Sequence, residues 1–244
     1  MKKHLPNLIT SLNLAAGFIA VVLAAEGKLL IASWLILTAM IFDFLDGFTA
    51  RLLKAYSPLG KELDSLADMV SFGVAPALII YKAIGTAQGI NGPVLSAENI
   101  SASSLVLLIP LIMPVCAGLR LAKFNIDTTQ STTFKGLPTP ANALAVISAI
   151  IAQHFSHGTV IDQFFESEWA LALFSVIISL LMVTRIPMLS LKTTSLSLKG
   201  NEARYLLVVT VILSIVLMGI SGVILIIPLY IAISLLEPLP GRIH

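Results

Sequence analysis

The sequence predicts an all-α integral membrane protein of about eight transmembrane helices, and three observations carry that expectation. Hydrophobic residues make up 57% of the 244 positions and charged residues only 11%. A soluble domain is closer to half apolar and about a quarter charged. So little polar surface cannot coat a globule in water, and lipid must solvate much of the chain. The apolar residues are gathered into runs near the length of about 20 that a helix needs to cross a bilayer core about 30 Å thick. Helix is the required form because lipid offers no partner for backbone N–H and C=O groups. The basic residues, finally, lie in alternate connections between these runs, as multi-pass proteins distribute them.

The runs are 7–25, 30–53, 62–84, 104–123, 138–155, 167–184, 205–220 and 222–237. The first follows Met1-Lys2-Lys3 without a small-residue cleavage site, so no removable signal is expected. The second and third are separated by Tyr56-Ser57-Pro58-Leu59-Gly60, a turn signal. Pro110 and Pro114 are positioned to kink the fourth. Its Cys116 is the only cysteine, which excludes an internal disulfide and reads as a small buried hydrophobe. The last two runs are short, and the weak separator Gly219-Ile220-Ser221-Gly222 leaves either a tight hairpin or one broken element. The polar connections 85–103 and 186–203 show no chemical pattern. His4, His154, His157 and His244 show no ligand spacing.

An even number of spans puts both termini on one side. With the termini in the cytoplasm, Lys2, Lys3, Arg51, Lys54, Lys61, Arg120, Lys123, Lys135, Arg185, Lys192, Lys199, Arg204 and Arg242 all face it. Only Lys28 and Lys82 lie outside, where Glu26, Glu98, Asp162, Glu166 and Glu168 gather. The expected location is the cell (inner or plasma) membrane.

Four acids interrupt the apolar pattern. Asp43, Asp46, Asp64 and Asp68 lie inside otherwise apolar runs. A carboxylate at membrane depth costs at least about 2.5 kcal/mol, which makes each a functional candidate. Asp43 and Asp46 are three apart, and Asp64 and Asp68 four apart, so each pair shares a helix face. At about 1.5 Å per residue, counting from the Tyr56 turn brings the two pairs to matching depths near the cytoplasmic side. The two helices are therefore expected to fold back on each other. Four anions together need protons or cations, and an all-oxygen ligand set favours Mg²⁺, Mn²⁺ or Ca²⁺. Two such ions about 4 Å apart would clamp the attacking and leaving oxygens of a displacement at phosphorus. Gly47, Ala50 and Gly60 open space for a ligand or let helices pack closely, and Arg51 can pair with phosphate or with the carboxylates.

The spacing Asp-x2-Asp-Gly-x2-Ala-Arg-x8-Gly-x3-Asp-x3-Asp runs from Asp43 through Asp46, Gly47, Ala50, Arg51, Gly60 and Asp64 to Asp68. It resembles the signature of the CDP-alcohol phosphotransferases at all eight positions. The resemblance implies transfer of a substituted phosphate from a CDP-alcohol to an acceptor hydroxyl, with release of CMP. It also implies metal ligation by all four aspartates, a general-base role for Asp68, and a cytidine nucleotide against Gly47, Ala50 and Gly60. A homodimer on the six-helix family core is a further implication. Pro6-Asn7-Leu8-Ile9-Thr10-Ser11-Leu12-Asn13, Ser65 to Pro76, Leu119 to Asn125 and Phe134 to Ala141 resemble bacterial phosphatidylserine synthases. Those relatives commonly carry Arg at the place of Lys123, and many phosphatidylglycerol-phosphate enzymes carry Arg at that of Asn13. The resemblance covers residues 4–145. It leads to residues 1–184 as a core and 185–244 as a cytoplasmic loop plus transmembrane hairpin.

On this reading the donor is CDP-diacylglycerol and the acceptor L-serine, and the other contacts are membrane lipids, with no nucleic acid. The acceptor carboxylate needs a cation: Arg120, then Lys123, with Asn125 and Lys135 as further candidates. Arg120 and Lys123 are also placed to be headgroup anchors. Asn7 and Thr10 are candidates for nucleotide contact or for helix capping. The alternatives are another acceptor, such as glycerol 3-phosphate or inositol phosphate, or a cation transporter. A transporter would spread its acids through the membrane depth rather than cluster them.

Overall fold

A computed structural model describes residues 4–90, 102–126, 134–156, 160–189, 197 and 200–236. Every apolar run is helical. Helix α1 covers Leu5–Ala25 and α2 Leu29–Leu52. The third run is one continuous helical stretch: α3 (Pro58–Asp68), a π-helical segment (Met69–Val74) and α4 (Ala75–Ala87). The fourth starts as a 3₁₀ segment (Ala102–Leu111) and continues as α5 (Ile112–Ile126). Then come α6 (Thr139–Phe155), a short α7 (Val160–Glu166), α8 (Glu168–Val183), α9 (Glu202–Met218) and α10 (Ile226–Leu236). Two-residue strands β1 (Phe134–Lys135) and β2 (Pro187–Met188) pair antiparallel.

The chain is an all-α, multi-pass membrane protein. Among the described residues, five helical runs are long and apolar enough to cross a bilayer: Leu5–Ala25, Leu29–Leu52, Pro58–Ala87, Leu105–Ile126 and Glu202–Leu236. Helices α6 and α8 are apolar but shorter, at 17 and 16 residues. The Glu202–Leu236 run has that length only when taken whole, because it reverses direction between α9, of 17 residues, and α10, of 11. Ser214 Oγ lies 3.2 Å from Gly222 O, whereas eight residues along a straight helix would separate them by about 12 Å. Gly219, at φ +65°, makes that reversal, so the last two runs form a hairpin. Cys116 is buried, as expected. Lys2, Lys3, Glu98, His157, Lys192, Lys199, Arg242 and His244 lie outside the described residues, as does most of the two polar connections.

Three local features determine how the aspartate-bearing helices are placed. The third helix begins at Pro58, four residues before the predicted 62. Ser57 caps it by accepting from Gly60 N at 3.0 Å, and Pro58 takes the first turn, where its missing N–H costs nothing. Secondly, α2 and α3 do not pack along each other as expected. Helix α1 packs on both, through a buried face of small residues that includes Ala16, Gly17, Ala20 and Ala24. The third feature is the π segment. Pro76 has no N–H to give the carbonyl four residues back, at Phe72. Asn142 Nδ2, from α6, donates to Phe72 O at 3.2 Å and compensates it.

At Gly17 a Cβ would stand 2.1 Å from Ser71 Oγ and 2.9 Å from Ser71 Cα. Gly17→Ala should therefore destabilise by about 1–3 kcal/mol through overpacking, seen as a lower unfolding midpoint in detergent. An unchanged midpoint would contradict this close approach of α1 to the π segment.

Candidate active site

The aspartates stand where three elements meet. Asp43 projects from α2, and Asp64 and Asp68 from α3; a carboxylate oxygen from each lies within 4.8 Å of those of the other two. Asp46, one turn along α2, is 6% exposed and lies beside Thr10 and Asp64. The structure thus brings Asp43, Asp64 and Asp68 into one cluster and sets Asp46 at its edge.

Helix α1 forms the polar floor. Asn13 is fully buried and donates Nδ2 to Asp68 Oδ1 at 3.3 Å. Ser71, in the π segment, donates to Asn13 O at 3.1 Å. The wider turn immediately after Asp68 therefore ties back to the residue that holds Asp68. Sequence alone assigns Asn13 no role. Its signal is the spacing of Asn7, Thr10 and Asn13, three apart each time, which draws a polar stripe along an apolar helix.

Neither Asn7 nor Thr10 caps α1. The cap position is His4, without a side-chain cap bond, and both residues lie within the helix. A Cβ on Gly60 would sit 3.0 Å from Asn7 Oδ1, so Asn7 and Gly60 face each other. Around a Cβ on Gly47 there is open space within 4 Å. Close helix packing within this chain therefore does not require that glycine. Ala50 is half-buried beside it. Arg51 is exposed and donates Nε to Gly47 O at 3.0 Å.

The cationic candidates divide. Arg120, Lys123 and Lys135 line one cavity of about 330 Å³, closed by Leu119, Phe124 and the end of α8 at Met182 to Thr184. Arg120 Nε is buried and has no hydrogen-bond partner among the described residues, and its guanidinium lies within electrostatic reach of Asp68. Arg120 thus links the cavity electrostatically to the carboxylate cluster. Asn125 is not part of its lining. It donates Nδ2 to Ser65 Oγ at 3.0 Å and accepts from Lys61 Nζ at 2.9 Å, tying the end of α5 to α3. The connection after residue 185 shows no chemical pattern in sequence, yet its first residues hold the segment that carries Lys135. Gly136 N donates to Ile186 O at 2.8 Å, and β2 pairs with the strand that carries Lys135.

The cluster fits a divalent cation. Its donors are all carboxylate oxygens, and Asp46 Oδ2 and Asp64 Oδ1 are buried without a hydrogen-bond partner among the described residues. Buried oxygens left in that state are costly unless something outside the chain satisfies them.

Known proteins are similar to this chain in sequence. The family model described as CDP-alcohol phosphatidyltransferase matches residues 3–184. A Mycobacterium leprae protein named CDP-diacylglycerol–serine O-phosphatidyltransferase is 37% identical over 198 residues, 78% of this chain and 60% of its own length. A Helicobacter pylori protein of the same name is 34% identical over 199 residues, covering 80% of this chain and 75% of the relative. An archaetidylserine synthase from Methanothermobacter thermautotrophicus is 35% identical over 184 residues, covering 75% and 68%.

A cation that binds only the folded state raises stability, by about 2.7 kcal/mol at one hundred times its Kd. Mn²⁺ should therefore raise the unfolding midpoint of the protein in detergent, and Asp64→Asn should abolish most of that rise. If the variant responds to Mn²⁺ as fully as the parent, the cation is not held by this cluster.

Proposed function

The chain belongs to the CDP-alcohol phosphatidyltransferase family, and on that premise we propose that it transfers the phosphatidyl group of CDP-diacylglycerol to the hydroxyl of L-serine. The observation that carries this is the link between the two sites: Arg120, which lines the cationic cavity, lies within electrostatic reach of Asp68 in the partly buried carboxylate cluster. The names of the three relatives add serine, the acceptor common to them.

The chemistry is a displacement at phosphorus. The serine Oγ forms a bond to the phosphorus carrying diacylglycerol, the bond from that phosphorus to the CMP oxygen breaks, and CMP departs. An alcohol is a poor nucleophile at neutral pH and needs a base at hydrogen-bonding distance. Asp68 takes the hydroxyl proton in this reading. Asn13 holds one oxygen of that carboxylate and leaves the other for the acceptor. Arg120, with Lys123 and Lys135 behind it, binds the serine carboxylate and so orients the hydroxyl toward Asp68. Open space over Gly47, and Gly60 backed by Asn7, admit the cytidine nucleotide, with Ala50, Thr10 and Arg51 at its edges. Asp43, Asp46, Asp64 and Asp68 would hold Mg²⁺ or Mn²⁺, which supplies charge neutralisation for the diphosphate and the leaving CMP.

The same reading assigns residues 1–184 to the catalytic core and 185–244 to a loop and hairpin appended to it, in keeping with a family match over 3–184. It puts the active site and both termini on the cytoplasmic side of the cell membrane, supported by the distribution of Lys and Arg. A homodimer is supported by the family resemblance alone.

The test is CMP release by the purified protein with CDP-diacylglycerol, Mg²⁺ or Mn²⁺, and one acceptor at a time. Serine should support turnover, and glycerol 3-phosphate and inositol phosphate should not; the reverse pattern overturns the assignment. Asp68→Asn should lower kcat by about 10²-fold or more, the scale of lost general-base catalysis, while CDP-diacylglycerol still binds. Near-normal turnover in that variant would remove Asp68 as the base.

A further inference from the structure

The C-terminal hairpin lies beyond the residues 3–184 that match the family, yet it holds the segment that follows the α8 wall of the cationic cavity. The contact is a clamp on one backbone unit. Tyr230, on α10, is 4% exposed and donates its hydroxyl to Leu189 O at 3.0 Å. One turn further, Ser234 Oγ accepts from Leu189 N at 3.0 Å and donates to Tyr230 O at 2.7 Å. Both polar groups of Leu189 are thus satisfied by two side chains of the same helix face.

Leu189 directly follows β2, whose partner strand carries Lys135: Lys135 pairs with Pro187 and Phe134 with Met188. On the far side of that ladder, Leu137 N donates to Leu181 O at 2.9 Å. Gly136, at φ +80°, sits where a Cβ would meet Met182 O at 2.6 Å and Thr184 O at 2.8 Å. Met182 and Thr184 are themselves walls of the cavity. A chain of backbone contacts therefore runs from α10 through Leu189 and the two-strand ladder to Lys135 and the end of α8. Tyr230 also lies within electrostatic reach of Arg120 on the other wall. A ladder of two residues per strand is too short to hold register unaided, and the clamp adds to the backbone bonds that hold it.

The geometry points to Tyr230 and Ser234 as positioning residues for the acceptor: the appended hairpin sets the width of the cationic cavity by clamping Leu189. This rests on the reading of that cavity as the serine site. Neither residue touches the carboxylate cluster, so their effect falls on acceptor affinity and leaves the chemical step and the lipid donor alone.

The experiment is steady-state kinetics in mixed micelles with Tyr230→Phe, Ser234→Ala, their combination, and Ser234→Thr, alongside Arg120→Gln. The double variant should raise the KM for serine about five- to tenfold, the scale of the two hydrogen bonds lost to Leu189. Its kcat at saturating serine and its KM for CDP-diacylglycerol should stay within about twofold of the parent. Ser234→Thr, which keeps the hydroxyl, should restore the serine KM. A serine KM raised by Arg120→Gln but unchanged in the double variant overturns the clamp and leaves the cavity reading intact. A loss shared equally by both KM values and kcat also overturns it, since that is the signature of general destabilisation. If Arg120→Gln itself leaves the serine KM unchanged, the cavity reading falls and takes the clamp with it.

Discussion

Carboxylates gathered inside an apolar helical bundle are the constraint on which this protein is built. Like charges within 4.8 Å of one another, in a medium that solvates them poorly, repel and carry a desolvation cost. No arrangement of Leu and Ala around them can offset that. The two ways out are to bind protons or to bind cations. A cation would also give partners to the carboxylate oxygens of Asp46 and Asp64 that are buried and unpartnered among the described residues. The cluster is thus comprehensible as a receptor for positive charge that arrives from outside the chain, and a nucleotide diphosphate brings the complementary negative charge to the same place.

The surrounding architecture keeps that cluster open on one side. Were α2 and α3 packed along each other, their facing carboxylates would be sealed. Helix α1 packs on both instead, supplying the floor through Asn13 and Thr10. The π segment after Asp68 turns the wider part of the third helix toward that floor, where Ser71 meets the Asn13 carbonyl. Pro76 explains why the helix is irregular there, and Asn142 why the irregularity does not leave a carbonyl stranded. A hydrogen-bonded polar seam thus runs from α1 through the π segment to α6, inside an otherwise apolar bundle.

Much of this is legible in the sequence because helical periodicity fixes which residues share a face. The runs, the turn between α2 and α3, and the matched depths of Asp43, Asp64 and Asp68 all rest on spacing. What spacing does not contain is the partner of a side chain far along the chain. Asn13 meets Asp68 at a separation of 55 residues. Asn125 follows Arg120 and Lys123 closely in sequence and so reads as a cavity residue, but it falls on the side that faces α3. The strand pairing that positions Lys135 joins segments about fifty residues apart, and two-residue strands have no alternation to read. Composition leaves the hairpin reversal at Gly219 open, and the approach of Gly222 to Ser214 settles it.

Cation binding by the carboxylate cluster is the central claim. Crystals of the protein grown with Mn²⁺ and recorded at the manganese absorption edge would test it directly. An anomalous peak among the carboxylates of Asp43, Asp64 and Asp68 is the predicted result. A fully occupied peak elsewhere, or none at this cluster with Mn²⁺ and CDP-diacylglycerol both present, would contradict it.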